Sequence, residues 1–274
     1  MPRQSKSSII QSRFKNPVKV RLKRGESVFG PVISVNSVEV AAQTANMGFD
    51  FLWLEMEHTP ITLETVRNMI LATRGLPAVP FARPPVNELW TAKRVLDAGA
   101  LGVIFPFTST PALARQAVAA CRYPPAGLRG FGPDLAAFRW QTTQRYADFA
   151  DENVVVVTIV ENAAGLANIE EIAATPGIDV IFIGTHDLSF SLGLRGKQEH
   201  PKLEAAITRI ATAARKHGKA LGRPAVTVEQ VKRCQKQGFQ FFMVGSEMDL
   251  LAQGVSQLLA PFGRARRPFR AVGI

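Results

Sequence analysis

Cysteine is scarce in this chain, with two among 274 residues. Cys121 and Cys234 stand far apart and lack metal-ligand spacing, which excludes a disulfide framework and fits a reduced, cytoplasmic protein. No uninterrupted apolar run approaches the roughly 18 residues of a membrane-spanning helix. Internal repeats and low-complexity linkers are absent too, so nothing marks a second domain. Helix-turn-helix, zinc-finger and aromatic RNA-binding patterns are also missing, although the formal charge is +11. That charge sits at the ends. Residues 1–24 carry eight Lys and Arg and no acid, and residues 264–274 add four Arg and no acid. The remaining 21 basic residues face all 22 acids, so the middle is nearly neutral. The ends read as a basic N-terminal arm (1–24) and a basic C-terminal tail (264–274), either solvated or in oligomer contacts. An anionic partner is the alternative. The N-terminus has the composition of a transit peptide but no amphipathic pattern.

What is present, over residues 25–263, is an alternation. Short apolar runs occur at Val28–Val35, Phe51–Glu55, Ala78–Ala82, Gly102–Phe105, Val154–Val160, Asp179–Ile183, Ala220–Arg223 and Phe241–Val244. Each is bounded by Gly, Pro or a charge, as strands buried on both faces are. Between them lie stretches with apolar residues at helical spacing, such as Leu63, Val66, Met69 and Ile70. Eight β-then-α units favour an α/β fold closed as a (β/α)₈ TIM barrel. The longest irregular stretch, Tyr123 to about Phe138, follows the fourth strand, and a loop of that length in a compact domain usually serves function.

Catalytic groups of such barrels sit at the carboxyl ends of the strands. Glu55, Glu57 and His58 follow the second run, Arg83 the third, Glu161 the fifth and Asp187 the sixth. Carboxylates at the tips of adjacent strands can share a hard divalent cation such as Mg²⁺. They can equally be surface acids, with Asp187 capping a helix that begins at Leu188. His58, with carboxylates nearby, suits a general base as well as an ordinary loop histidine. Arg83 precedes two prolines and suits either an enolate or carboxylate oxygen or a structural ion pair. The glycine turn and helix start at Gly184–Ser189 offer free amides for a carboxylate. Lys219 precedes the seventh strand, at the wrong end of the barrel, and Lys93 lies within a helix. Neither is placed for Schiff-base chemistry.

In this combination and order the motifs resemble the HpcH/HpaI aldolase/citrate lyase family of class II pyruvate aldolases. The carriers are Gly48-Phe49-Asp50-Phe51 leading to Glu57-His58, Ala82-Arg83-Pro84, Leu96-Asp97-Ala98-Gly99-Ala100 and Arg122-Tyr123-Pro124-Pro125-Ala126-Gly127-Leu128-Arg129-Gly130. Val160-Glu161-Asn162 and Phe182-Ile183-Gly184-Thr185-His186-Asp187-Leu188-Ser189 follow. The likeness runs from about Gly25 to Pro261. It implies a barrel of the phosphoenolpyruvate/pyruvate-binding type and a reversible cleavage of a 4-hydroxy-2-oxo acid into pyruvate and an aldehyde. It further implies that Glu161 and Asp187 bind Mg²⁺, Mn²⁺ or Co²⁺, and that the cation holds pyruvate and its enolate. His58 would be the base, with Glu55 as its carboxylate partner. Arg83 would stabilise the enolate oxygen, and the amides of His186 and Asp187 would receive the substrate carboxylate. The family resemblance also implies a homo-oligomer, a hexamer or trimer, in which Asp97 reaches a neighbouring site.

The sequence departs from the family pattern at three places. Glu55 stands where Asp is common, Ile159 where a Gln often contacts pyruvate, and Gly222-Arg223-Pro224-Ala225 replaces an apolar stretch near the aldehyde side. These departures bear on the second substrate. They keep related enolate reactions in view: oxaloacetate decarboxylation, acyl-CoA lyase chemistry and a macrophomate-synthase-like condensation. A non-catalytic nucleic-acid-binding protein using the basic ends is the reading from another class. It leaves the site-forming residues unexplained.

Overall fold

All eight apolar runs become strands: β1 (Val28–Ile33), β2 (Phe51–Glu55), β3 (Val79–Arg83), β4 (Gly102–Phe105), β5 (Val155–Val160), β6 (Val180–Ile183), β7 (Ala220–Pro224) and β8 (Phe241–Ser246). In this computed structural model, which describes residues 14–264, every neighbouring pair is parallel. β8 pairs with β1, so the sheet closes as a barrel in chain order. The helices are α1 (Pro17–Lys23), α2 (Val38–Ala45), α3 (Leu63–Ala72), α4 (Leu89–Asp97), α5 (Pro111–Ala120), α6 (Asp134–Trp140) and α7 (Tyr146–Asn153). They continue as α8 (Ala163–Ala167), α9 (Ile169–Ala174), α10 (Thr185–Ser191), α11 (Pro201–Lys216), α12 (Val228–Lys236) and α13 (Glu247–Leu259). The basic residues before 14 and after 264 lie outside the described residues.

Local chemistry sets where the helices begin. Ser37, Thr62, Thr110, Asn162, Thr227 and Ser246 each accept an amide two or three residues into the helix that follows. These caps lie at or after the carboxyl ends of strands. They fix how the chain turns at the rim where function sits.

The barrel interior is aromatic. Phe51, Phe81 and Phe241 stack, with centroids 4.3 Å apart for Phe51–Phe241 and 5.3 Å for Phe51–Phe81, and Phe182 meets Trp53 edge-on at 5.1 Å. Glycine makes room for these rings. A Cβ at Gly102 would lie 2.3 Å from the Phe81 ring, and one at Gly222 would lie 2.7 Å from that of Phe182. Truncating one such ring to Ala typically costs about 3–5 kcal/mol. This filled layer is the floor on which the charged mouth rests.

The opposite, amino-terminal face is closed by α1. Val18 and Leu22 are buried, and Asn16 donates to Leu101 O (3.2 Å) and Asn153 O (2.9 Å). From Asn16 onward the basic stretch is therefore packed against the barrel. The irregular stretch after β4 is shorter than its composition suggests, because α6 begins at Asp134.

Candidate active site

β2 ends on Glu55, whose neighbour across the sheet is Arg83, the last residue of β3. Glu55 is only 2% exposed, and four donors surround its carboxylate. Oε1 accepts the amides of Glu57 (2.7 Å) and His58 (3.1 Å). Oε2 accepts Trp53 Nε1 (2.9 Å) and Arg83 Nε (2.5 Å). The Thr59 hydroxyl donates to the Glu55 carbonyl and closes the turn. A buried carboxylate is stable only when so satisfied. Here it locks a guanidinium at the barrel mouth. Arg83 also lies over the Trp53 ring at 5.2 Å and pairs with Glu57 at 2.9 Å.

Two expected residues land elsewhere in detail. The His58 ring does not meet Glu55; its Nε2 lies 3.5 Å from Glu57 Oε2. The expected Glu55–His58 pairing exists only through the His58 amide, because the chain leaves β2 at Glu55 and turns. Asp187 is not a helix cap. Helix α10 begins at Thr185 with Gly184 at its N-cap, which leaves Asp187 exposed in the first turn.

Glu161 follows β5 and is 3% exposed. Its Oε1 accepts the Phe107 amide at 2.6 Å, and Phe107 adopts a positive φ of 46°. Its other oxygen fills the space a side chain at Gly184 would take. Burial pushes the Glu161 carboxyl up to about 7; the Phe107 amide opposes this, and the nearby charges of Glu57 and Asp187 add to it. Burial likewise raises Glu57, against the pull of Arg83 and His58. Glu57, Glu161 and Asp187 thus form one acidic group that Arg83 compensates in part. In the sequence Glu57 is one of two carboxylates beside His58 at this rim, with the family resemblance pointing to Glu55 as the partner. The contacts of Glu57 with both Arg83 and His58 single it out.

A cavity of about 790 Å³ opens beside this group, lined among others by Glu55, His58, Arg83 and His186. Burial lowers His186. The far wall includes Arg223, whose guanidinium lies 5.4 Å from the Phe239 ring centroid and whose Nε is buried without a hydrogen-bond partner. Ile159 is buried against the Gly184 turn and offers no polar group there. Asp97 is not part of the cluster. It ends α4 and pairs at 2.7 Å with Arg129, whose side chain is fully buried. Lys219 donates to Thr175 O and Ile178 O at the amino ends of the strands, and Lys93 sits within α4, so no lysine joins the site from either place. No group of three or more His, Cys, Asp or Glu side chains poised to cage a metal occurs among the described residues.

A closed (β/α)₈ barrel with an acid–guanidinium cluster at the carboxyl ends of its strands is the frame of a barrel enzyme. Known proteins of this build narrow the class. The family model described as HpcH/HpaI aldolase/citrate lyase matches residues 32–254. A hydroxypyruvate/pyruvate aldolase of Paraburkholderia phytofirmans is 36% identical over 90% of this chain and 98% of its own. A 4-hydroxy-2-oxo-heptane-1,7-dioate aldolase of Salmonella typhimurium is 36% identical over 95% of this chain and 100% of its own. The crystal structure of a family protein from Burkholderia cenocepacia superposes with a TM-score of 0.84 at 34% identity, covering 91% of this chain and 100% of that one. The chain belongs to the HpcH/HpaI aldolase/citrate lyase family, and it is a carbon–carbon lyase of the aldolase type.

Proposed function

We propose that the chain is a pyruvate aldolase that cleaves a 4-hydroxy-2-oxo acid reversibly into pyruvate and an aldehyde. The observation that carries this reading is Arg83, clamped by Glu55 and Glu57 beside Glu161 and Asp187 at the mouth of a cavity larger than pyruvate needs.

The donor set fits a divalent cation. Glu161 and Asp187 would hold it through hard carboxylate oxygens, in an acidic group short of positive charge. A bound Mg²⁺, Mn²⁺ or Co²⁺ would polarise the 2-oxo group and offset the charge of an enolate. The chain's own groups supply the remainder. His58 accepts the proton of the 4-hydroxyl, the C3–C4 bond breaks, and its electron pair moves toward the C2 oxygen. The aldehyde leaves, and protonation at C3 completes pyruvate. The Arg83 guanidinium faces the oxygen where that charge develops. The first-turn amides of His186 and Asp187 have no acceptor within α10 and suit the substrate carboxylate. These features support reading the closed barrel as one of the phosphoenolpyruvate/pyruvate-binding type.

The deciding assay follows pyruvate release from a panel of 4-hydroxy-2-oxo acids and deuterium exchange into the pyruvate methyl group. Both are measured after chelation and after returning Mg²⁺, Mn²⁺ or Co²⁺. Chelation and Glu161→Ala should each abolish exchange; full activity of the chelated variant overturns the assignment. Exchange with no aldol cleavage, but with release of CO₂ or of an acyl-CoA product, selects a related enolate lyase instead.

The buried free cysteines fit a cytoplasmic setting. No helix among the described residues is long and apolar enough to cross a membrane. Helix α13 contributes no buried residue, which supports a homo-oligomer, expected as a trimer or hexamer in which Asp97 approaches a neighbour's site. Nucleic acid has no place in this reading.

A further inference from the structure

A general base needs a group that fixes its ring, and Glu55 is fully committed elsewhere. A carboxylate has about four lone-pair sites. Those of Glu55 already receive two backbone amides, the Trp53 indole and Arg83. None is left for the imidazole of His58. The carboxylate that does face the ring is Glu57, with Oε2 3.5 Å from Nε2. That separation is common for catalytic hydrogen bonds before substrate closes a site. The same oxygen lies 2.9 Å from Arg83 Nη1. The two partners differ in freedom. The Glu57 side chain is 9% exposed and held, whereas the His58 ring is 61% exposed and free to turn onto it.

We propose that Glu57, not Glu55, is the positioning residue for His58. Its carboxylate receives the Nε2 proton of the ring, leaves Nδ1 as the proton acceptor, and ties the base to the guanidinium that faces the enolate oxygen. Glu55 is then the clamp of the 55–58 turn and of Arg83. Charged groups reach Glu57 from four elements: Glu55 and His58 at the β2 end, Arg83 on β3, Glu161 after β5 and Asp187 on α10. The extra methylene of Glu55 relative to Asp explains the exchange of roles, because it carries the carboxylate to Trp53 and Arg83. This inference rests on His58 being the base.

The test compares Glu57→Gln, Glu57→Asp and Glu55→Gln by cleavage kinetics and by ¹⁵N–¹H correlation of the imidazole. The chain's four histidines keep the spectrum assignable. Wild type should show His58 as the Nε2–H tautomer. Glu57→Gln should lose about 100-fold in kcat with KM within about twofold and show mixed tautomers. Glu57→Asp, which keeps the charge, should recover part of the rate and serves if the Gln variant does not fold. Glu55→Gln should lower the melting temperature and leave the tautomer intact. A wild-type tautomer in Glu57→Gln, or a tautomer change confined to Glu55→Gln, overturns the proposal. Wild-type cleavage by His58→Ala would instead remove the base reading beneath it.

Discussion

Gly184 lies directly against Glu161: a Cβ on the glycine would sit 2.7 Å from both Cβ and Oε2 of the glutamate. The turn between β6 and α10 is thus the wall that holds the Glu161 carboxylate in place. Gly184→Ala must displace that carboxylate, because the backbone on either side is fixed by β6 and by α10. Overpacking of this kind costs about 1–3 kcal/mol. We expect the variant to keep the barrel's circular dichroism and to lose at least about tenfold in pyruvate methyl exchange. Wild-type exchange in a folded Gly184→Ala protein would show that the position of Glu161 does not matter to the chemistry.

The Glu161 carboxyl, raised chiefly by burial from 4.5 to about 7, makes stability depend on pH. Between those values the folded chain keeps a proton that the unfolded chain has released. Its contribution is therefore most favourable below about 4.5 and is lost as pH rises through about 7. Glu161→Gln removes this dependence. In chelator, the variant should match wild type near pH 4.5 and exceed it at pH 8 by about 1–3 kcal/mol, read from urea unfolding. Millimolar Mg²⁺ or Mn²⁺ should stabilise wild type at pH 8 and leave the variant unmoved. Identical pH dependence in the two proteins would contradict the burial argument.

How much of this was legible beforehand follows from which contacts are local. β5 is apolar at all but one position and buried at every one, so a strand covered on both faces is written in the run itself. Arg83 and Glu161 were legible as polar residues at the ends of such runs. The partner of His58 was not, because the chain leaves the strand at Glu55, and strand alternation no longer says which carboxylate turns toward the ring. The cap suggested at Asp187 fails because α10 starts at Thr185, three residues before Leu188, with Gly184 at its N-cap. The Asp97–Arg129 pair joins residues 32 apart and buries a guanidinium under Tyr123 and Tyr146, which no spacing announces. The basic composition of 1–24 likewise hid Val18 and Leu22, two apolar anchors one helical turn apart.

Helix α13 supplies the remaining prediction. In a closed barrel the helix after the last strand ordinarily covers the sheet, yet none of the thirteen residues of α13 is buried. Met248, Leu251, Val255 and Leu258 recur at three- and four-residue spacing and form one exposed apolar stripe. Its first turn also lines an apolar groove of about 470 Å³ shared with Val40 and Met47 near α2. Such a stripe on a lone subunit is a liability that association removes. Leu251→Asp combined with Leu258→Asp should convert the assembly to monomers in sedimentation velocity. Neither residue touches the barrel interior, so each subunit should keep its fold. If the wild-type chain itself sediments as a monomer at micromolar concentration, the stripe has some other use and the oligomer reading is lost.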